Sequence, residues 1–409
     1  MVEKTLGDVA TYINGRAFKP QEWEISGRPI IRIQNLTNST QECNRTTKQF
    51  EEKYRISDGD LLFAWSASLG AHIWHGEDGW LNQHIFKVIP NESIDKIYLY
   101  YYLLYVVDQL YAKTHGSGMV HITLKPFKST RIMLPELNEQ RRVVGKIESL
   151  FAKLDEAKEK AQAVVDSFEP RKAAILHKAF TGELTAKWRE EHGSSIGHWK
   201  ECSIGDVFTH TTGKALKRNN QNGILKKYIT TSNLYWGTFD FSEVREMYFT
   251  NEELEKCTAK KGDLLVCNGG DVGRAAIWNY DYDICLQNHI SKLRRKTDSI
   301  SVPFFYYYFM FLKINGNIAG RGIGIASLSA KDLLAIKVYL PPMTEQQQIS
   351  HILDELFDKE QQTKEAAEAV LDQINLMKKS ILARAFRGEL GTNDPSEESA
   401  VELLKRTIL

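Results

Sequence analysis

Lysine and arginine set among asparagine, glutamine, serine and threonine form the chemically most telling stretches of this 409-residue chain. Between Ile204 and Asn233 stand Lys214, Lys217, Arg218, Lys226 and Lys227, with Asp206 as the single acid. An earlier stretch of similar make-up holds Arg16, Lys19, Arg28, Arg32, Gln34 and Asn35. Such cations bind phosphate, and the amides and hydroxyls beside them hydrogen-bond base edges in a DNA groove. A charge run is equally the ordinary mark of a solvated face, so composition alone leaves both readings open.

Catalytic signatures are missing. There is no G-x-x-x-x-G-K-[ST] phosphate loop, no Asn-Pro-Pro-aromatic run and no HExxH. The glycine runs Gly269-Gly270-Asp271-Val272-Gly273 and Gly320-Arg321-Gly322-Ile323-Gly324 lack the strand-before, helix-after context that would give them meaning. The five cysteines are scattered with no CxxC pair, which reads as buried free thiols rather than a zinc site. The eleven histidines are dispersed too. What these residues suggest is a binding protein.

An internal repeat positions them. Leu6-Gly7-Asp8-Val9 returns as Ile204-Gly205-Asp206-Val207 at an offset of 198, and Gly59-Asp60-Leu61-Leu62 as Gly262-Asp263-Leu264-Leu265 at 203. Leu81-Asn82-Gln83-His84-Ile85 answers Leu286-Gln287-Asn288-His289-Ile290 at 205. From Leu134-Pro135 against Leu340-Pro341 the offset holds at 206, through Glu139-Gln140 and Glu345-Gln346, to Ala179-Phe180-Thr181-Gly182-Glu183-Leu184 and Ala385-Phe386-Arg387-Gly388-Glu389-Leu390. The repeated Asp residues read as turn chemistry, and the His84/His289 equivalence as a hydrogen bond shared by the two folds.

Drift followed by a rigid offset separates two kinds of module. Loops absorb insertions, whereas a helix cannot take one residue without rotating every later side chain. Beyond each Leu-Pro, apolar residues recur at helical steps: Val143, Val144, Ile147, Leu150, Phe151 and Leu154 in the first copy, Ile349, Ile352, Leu353, Leu356 and Phe357 in the second. Gly182 and Gly388 fall where left-handed caps would end these helices. Pro170 predicts a bend or break near Glu169-Pro170, in the first helix alone. Helices of about 42 residues would run roughly 60 Å. Stripes of that length suggest that the two helices bury them against each other as a coiled coil; the other arrangement packs each helix on its own domain. The remaining parts carry short β-prone runs, such as Pro29 to Ile33, Asp60 to Trp65, Ile85 to Ile89 and Lys337 to Leu340. Each also has an aromatic helical segment, Ile97 to Leu110 and Val302 to Leu312, read as core.

Whole-chain figures agree with this picture. A net charge of +1, 42% apolar and 26% charged residues describe an ordinary globular protein. No apolar run is long enough for a membrane span and the start MVEKTLGDVATYINGR has no apolar leader core, so no membrane association and a cytoplasmic location are expected. Neutrality overall argues against indiscriminate nucleic-acid binding.

Taken together, Gly7-Asp8-Val9, Asn14-Gly15-Arg16-Ala17-Phe18, Ile30 to Leu36, Gly59-Asp60-Leu61-Leu62, Leu340-Pro341-Pro342 with Glu345-Gln346, and the paired Ala-Phe-x-Gly-Glu-Leu ends make a pattern. It resembles the specificity subunits of type I restriction-modification systems over essentially the whole chain. The resemblance implies an α+β fold with two similar β-rich target recognition domains, separated by two long spacer helices that form an antiparallel coiled coil, with pseudo-twofold internal symmetry. The expected division is 1–136 and 197–342 for the recognition domains, 137–185 and 343–390 for the spacers, 186–196 for a linker and 391–409 for an acidic tail. Relative to the second half, the first lacks the lead-in that ends at Trp199-Lys200.

The implied partners are double-stranded DNA, methyltransferase (M) subunits and a restriction (R) subunit. No cofactor is expected in this chain; S-adenosylmethionine, ATP and Mg would sit in the partners, and the chain itself would be non-catalytic. Candidate DNA-binding residues are Arg16, Lys19, Asn35, Ser66, Ser68 and Lys125 in the first domain. The second offers Lys214, Lys217, Arg218, Asn233, Asn268, Arg274, Arg321 and Lys331. Two rival readings stay open at this point. One is a coiled-coil interaction protein whose β-rich domains bind protein; the other is an enzyme in its own right.

Overall fold

The computed structural model describes residues 2–38, 41–112, 122–216, 221–318, 320 and 327–392. The chain divides into two compact units: residues 1–162 with 369–409, and residues 163–368. The first unit is discontinuous in sequence and the second is one unbroken stretch, and their boundaries fall inside the long helices, so each unit takes the end of one and the start of the other.

Both units follow one plan. In the first, the strands Ala10–Asn14, Ile85–Pro90, Leu61–Ala64 and Gly70–Ile73 form an antiparallel sheet in that spatial order. A second sheet orders Asn44–Thr46, Arg28–Ile31, Gly79–Leu81 and Arg55–Ile56, with one parallel pairing between Arg28–Ile31 and Gly79–Leu81. The second unit repeats both sheets strand for strand. Phe208–Thr212, Ile290–Arg295, Leu264–Cys267 and Ala275–Ile277 make one, and Arg245–Phe249, Ile224–Ile229, Ile284–Leu286 and Thr258–Ala259 the other. Its parallel pair, Ile224–Ile229 with Ile284–Leu286, is the equivalent one. Ribbons pairing Val2–Thr5 with Arg131–Leu134 and Lys200–Ser203 with Lys337–Leu340 close the domains.

The run Leu61-Leu62-Phe63-Ala64 is apolar throughout because both faces of its strand are covered. Leu61 and Phe63 point into a core shared with helix α1 (Lys96–Ala112), while Leu62 joins Ile31, Leu81 and Ile85 between the sheets. In the second unit Leu264 and Val266 face the helix side and Leu265 and Cys267 the sheet side. The aromatic segments are core as expected: Tyr98, Leu99, Tyr102 and Leu103 are buried in α1, and Phe304, Phe305, Tyr308 and Phe309 in α4 (Val302–Ile314).

The first spacer is α2 (Leu137–Asp166) followed by α3 (Phe168–Phe180); the second is one 44-residue helix, α5 (Met343–Phe386). The break at Ser167 lies three residues before Pro170, which has no N–H to give four residues back and whose ring crowds that carbonyl. Within the first unit, α2 pairs with the end of α5. Lys378 lies over Phe151 and bonds Asp155 at 2.5 Å, while farther back along α2 Glu139 meets Thr392, so the two run antiparallel. Within the second unit α3 meets the start of α5 the same way, with Arg171 to Glu360 at 2.7 Å, Lys172 over Phe357 and Lys364 over Phe168. These segments also pack on their own domains: Val143, Ile147, Leu382 and Ala385 share the core of α1, and Leu176, Ile349 and Leu353 that of α4.

The repeated motifs resolve into specific jobs. Gly182 and Gly388 take φ of +83° and +74°, closing their helices as left-handed caps. Gln140 Nε2 donates to the carbonyls of Ser93 (3.0 Å) and Pro135 (2.8 Å) while its oxygen accepts from Asp95 N. Gln346 does the same with Ser299, Pro341 and Ser301, so this buried glutamine ties each spacer to the segment leading into its aromatic helix. Asp8 and Asp206 accept from the backbone and hydroxyls of Thr5 and Ser203, which hold both carboxyls below their ordinary range. Asp60 and Asp263 close turns by accepting from Ser57 N and Lys260 N. All five cysteines are free; Cys257, Cys267 and Cys285 are buried and Cys43 and Cys202 partly so. Among the described residues no helix is long and apolar enough to cross a membrane.

Candidate nucleic-acid interface

One row of backbone hydrogen bonds draws the candidate loops together in each unit. In the first, Asn82 N donates to Ile31 O, Arg16 N to Leu81 O, Gln83 N to Arg16 O, Gly15 N to Ile85 O, Trp65 N to His84 O and Ile122 N to Trp65 O, at 2.8 to 3.0 Å. The second makes the same six: Gln287 to Ile229, Lys214 to Leu286, Asn288 to Lys214, Gly213 to Ile290, Asn268 to His289 and Leu328 to Asn268, at 2.8 to 3.2 Å. The His84/His289 equivalence is therefore a shared hydrogen bond, accepted by the backbone carbonyl. Gly15 and Gly213 are needed for the close approach, since a Cβ there would stand 2.0 Å from Asn82 O or 2.2 Å from Leu286 O.

On this common frame the candidate side chains fall into three groups. Several are engaged inside their domain. Arg16 makes a two-pronged pair with Glu22 at 2.6 and 3.1 Å and lies over the Phe50 ring; its hydrogen bonds draw the Glu22 carboxyl down to about 2. Lys214 is buried, bonds Glu253 at 2.5 Å and the Tyr248 carbonyl at 2.6 Å, and lowers the Glu253 carboxyl. Asn35 and Asn233 share one task. Each amide oxygen accepts from the backbone three residues earlier, Arg32 N or Thr230 N, and each NH2 bonds two carbonyls across a loop, Gln41 and Glu42 or Asp240 and Glu243. Arg274 donates to Thr231 O at 2.6 Å, pairs with Asp271 and lies over Tyr235.

Ser66 and Asn268 are buried at the centre of the row, and the remaining described candidates, Lys19, Ser68, Lys125 and Lys331, are exposed. Lys125 and Lys331 occupy equivalent short helices, Leu124–Lys128 and Ala330–Ala335, which follow the segments stitched to Trp65 and Asn268. Lys217, Arg218 and Arg321 lie outside the described residues, as does much of each loop leading to Lys125 and Lys331.

Sequence reasoning placed Trp65 only at the end of a β-prone run and read His84 only through its equivalence to His289. Trp65 Nε1 donates to Asn14 Oδ1 at 2.9 Å, its ring stacks on Phe86, and His84 packs edge-on against it with a buried Nδ1 that has no hydrogen-bond partner. Ala67 and His84, at φ of +59° and +73°, are the two left-handed non-glycine residues among those described. The usable signal was the alignment of Trp65 with Asn268, an aromatic and an amide on one backbone position.

A row of loops on a duplicated frame, bearing different side chains, is a recognition architecture, and the family comparison is specific about which. The model for the type I restriction modification DNA specificity domain matches residues 1–165 and again 197–371. The chain belongs to the type I specificity family. This type I specificity subunit is 23% identical over 406 residues to the EcoBI specificity subunit of Escherichia coli, covering 94% of this chain and 85% of that one. It is 25% identical over 410 residues to the MjaVIII specificity subunit of Methanocaldococcus jannaschii, covering 94% and 92%. Its fold is that of a chain solved in work on complex assembly and conformational transition of the type I R-M system, with a TM-score of 0.73, 20% identity, and 95% and 98% of the two chains covered. The HsdS subunit from Thermoanaerobacter tengcongensis also shares it, at a TM-score of 0.60 and 20% identity over 95% and 97%.

Proposed function

We propose that each unit reads one half of a bipartite, asymmetric double-stranded DNA site through its row of loops. The supporting observation is the duplicated row itself: six equivalent backbone bonds in each unit, two of which fix Trp65 in one and Asn268 in the other. A common frame gives both units one docking geometry, and different side chains give them different half-sites. On this reading Lys19, Lys125 and Lys331, with Lys217, Arg218 and Arg321, supply phosphate contacts, while Arg16, Lys214, Asn35, Asn233 and Arg274 hold the reading loops in shape and Ser66, Ser68 and Asn268 lie nearest the bases.

The spacers α2–α3 and α5 act as one antiparallel coiled coil that sets half-site spacing and docks two methyltransferase subunits, which an R subunit joins. Adenine methylation with S-adenosylmethionine, and cleavage with ATP and Mg, belong to those partners; reaching the adenine requires it to leave the stack. The complex works in the cytoplasm. Co-expressing the chain with its methyltransferase and mapping methylated adenines tests this. A bipartite motif is expected, and a contiguous motif or none would overturn the reading.

A further inference from the structure

At three equivalent positions the two units carry opposite chemistry. Trp65, Phe86 and Tyr12 form an aromatic column in the first, with Trp65 stacked on Phe86 at 5.7 Å and Tyr12 edge-on to Phe86 at 6.2 Å. Register places Asn268, Ser291 and His210 at the same points of the second, since Phe86 pairs with Asn14 as Ser291 does with Thr212, and Tyr12 with Val88 as His210 does with Leu293. There they form a hydrogen-bonded chain: Asn268 Nδ2 reaches Ser291 Oγ at 3.1 Å, and Ser291 Oγ meets His210 Nε2 at 3.0 Å.

What each chain leaves unspent defines what it can read. Trp65 has given its one side-chain N–H to Asn14, so it offers an apolar ring, flanked by His84 with its unpartnered Nδ1 and a left-handed backbone. Asn268 has committed its NH2 to Ser291 and the Asn288 carbonyl, and its amide oxygen is the group that remains. In the major groove an apolar face selects the thymine methyl, and an acceptor selects the exocyclic amino group of adenine or cytosine. Strain at Ala67 and His84 is held where the row of loops converges, the usual place for it at a binding site.

We infer that the position shared by Trp65 and Asn268 is the specificity-determining position of each unit. Trp65 with His84 reads a thymine methyl in one half-site, and Asn268 reads the amino group of adenine or cytosine in the other. Ser291 and His210 act as positioning residues that fix the Asn268 amide. The inference rests on the bipartite reading above and deepens it.

The test maps adenine methylation genome-wide in the assembled complex carrying Trp65→Asn, Trp65→Phe, His84→Asn, Asn268→Ala or Ser291→Ala. Asparagine tolerates the left-handed backbone, so His84→Asn removes the ring while sparing the turn. Asn268→Ala is expected to admit sites changed at one base of the second half-site, cutting discrimination there roughly tenfold or more, with the first half-site unaltered. Trp65→Asn does the same in the first half-site only, with Trp65→Phe and His84→Asn relaxing it less. Ser291→Ala relaxes the same base as Asn268→Ala, more weakly. An unchanged motif, or weaker methylation of cognate sites with no new ones admitted, overturns the inference. Failure of the wild-type complex to give a bipartite motif would instead overturn the reading on which it rests, so the two failures are distinguishable.

Discussion

Glu345 and Glu139 hold the same place at the head of the two spacers, yet their surroundings differ. Glu345 is fully buried; it accepts from Arg189 at 2.6 Å, Thr185 at 2.7 Å and Trp199 Nε1 at 3.0 Å, all supplied by the segment between the two halves. Glu139 pairs with Arg142 from its own helix at 2.7 Å and accepts from the Thr392 hydroxyl at 2.5 Å. One unit thus ties its spacer through a dry, charge-satisfied node and the other through a local, partly solvated one. A repeat in sequence preserves backbone positions without preserving what stabilises them.

Removing the carboxylate should give the largest separation. Glu345→Ala leaves the Arg189 guanidinium, 10% exposed, without its counter-charge and is expected to cost about 3–5 kcal/mol. Glu139→Ala leaves an Arg142 side chain 34% exposed and should cost under about 1 kcal/mol. Urea unfolding of both variants followed by tryptophan fluorescence checks this, and equal losses would break the distinction. The caps separate by less. Gly182→Ala sits at a left-handed position and also makes the half-exposed Ile196 side chain move, its Cβ standing 2.4 Å from Ile196 Cδ1, and should cost about 1–2 kcal/mol. Gly388→Ala meets the left-handed penalty and should cost about 1 kcal/mol. Comparable thermal-midpoint shifts for the two would refute that ranking.

The turn at the centre of the loop row sharpens the comparison in both directions. Ala67 at φ +59° and Gly270 at φ +71° occupy one backbone site, so Ala67→Gly should stabilise the first unit by about 0.5–1 kcal/mol. Gly270→Ala has van der Waals room, its Cβ coming no nearer than 3.9 Å to Thr231 Oγ1, and should cost about as much in the second. Opposite signs in thermal denaturation are the expected result, and matching signs would mean that the two turns are not equivalent.

What sequence made legible follows local chemistry. The Gly-Asp turns, the glycine caps, the break ahead of Pro170 and the aromatic cores each depend on residues within a turn or two of one another, or on simple burial. The antiparallel direction of the spacers came from the resemblance alone, because a stripe of Val, Ile and Leu does not say which way its partner runs. The engagement of Asn35 and Asn233 was not legible, because their amides are taken up by carbonyls six to ten residues away. Arg16 and Glu22 read in sequence as separate charges; their pairing depends on a short 3-10 turn, Pro20–Glu22, that brings them to 2.6 Å. The packing of Trp65 against His84 was not legible either, because the two stand nineteen residues apart and meet only through the sheet.

Arg16 and Lys214 give the smallest expected effect and a check on whether equivalent cations do equivalent work. Hydrogen bonds from Arg16 hold Glu22 down at about 2, and Lys214 lowers Glu253. A carboxyl whose folded pKa is depressed contributes stability that is fully present above its unfolded value, near 4.5, and is lost as pH falls through the folded value. Both pairs therefore steepen acid unfolding below about pH 4.5. Arg16→Met and Lys214→Met should each cost below about 1 kcal/mol at neutral pH, since the replacement keeps apolar bulk over Phe50 or Phe249. Each should also flatten the loss of stability below about pH 4.5, in Arg16→Met down to about pH 2. If unfolding midpoints across that range keep the wild-type slope in Arg16→Met, the pair is not what holds the Glu22 proton off, and the two cations are not functional equivalents on the shared frame.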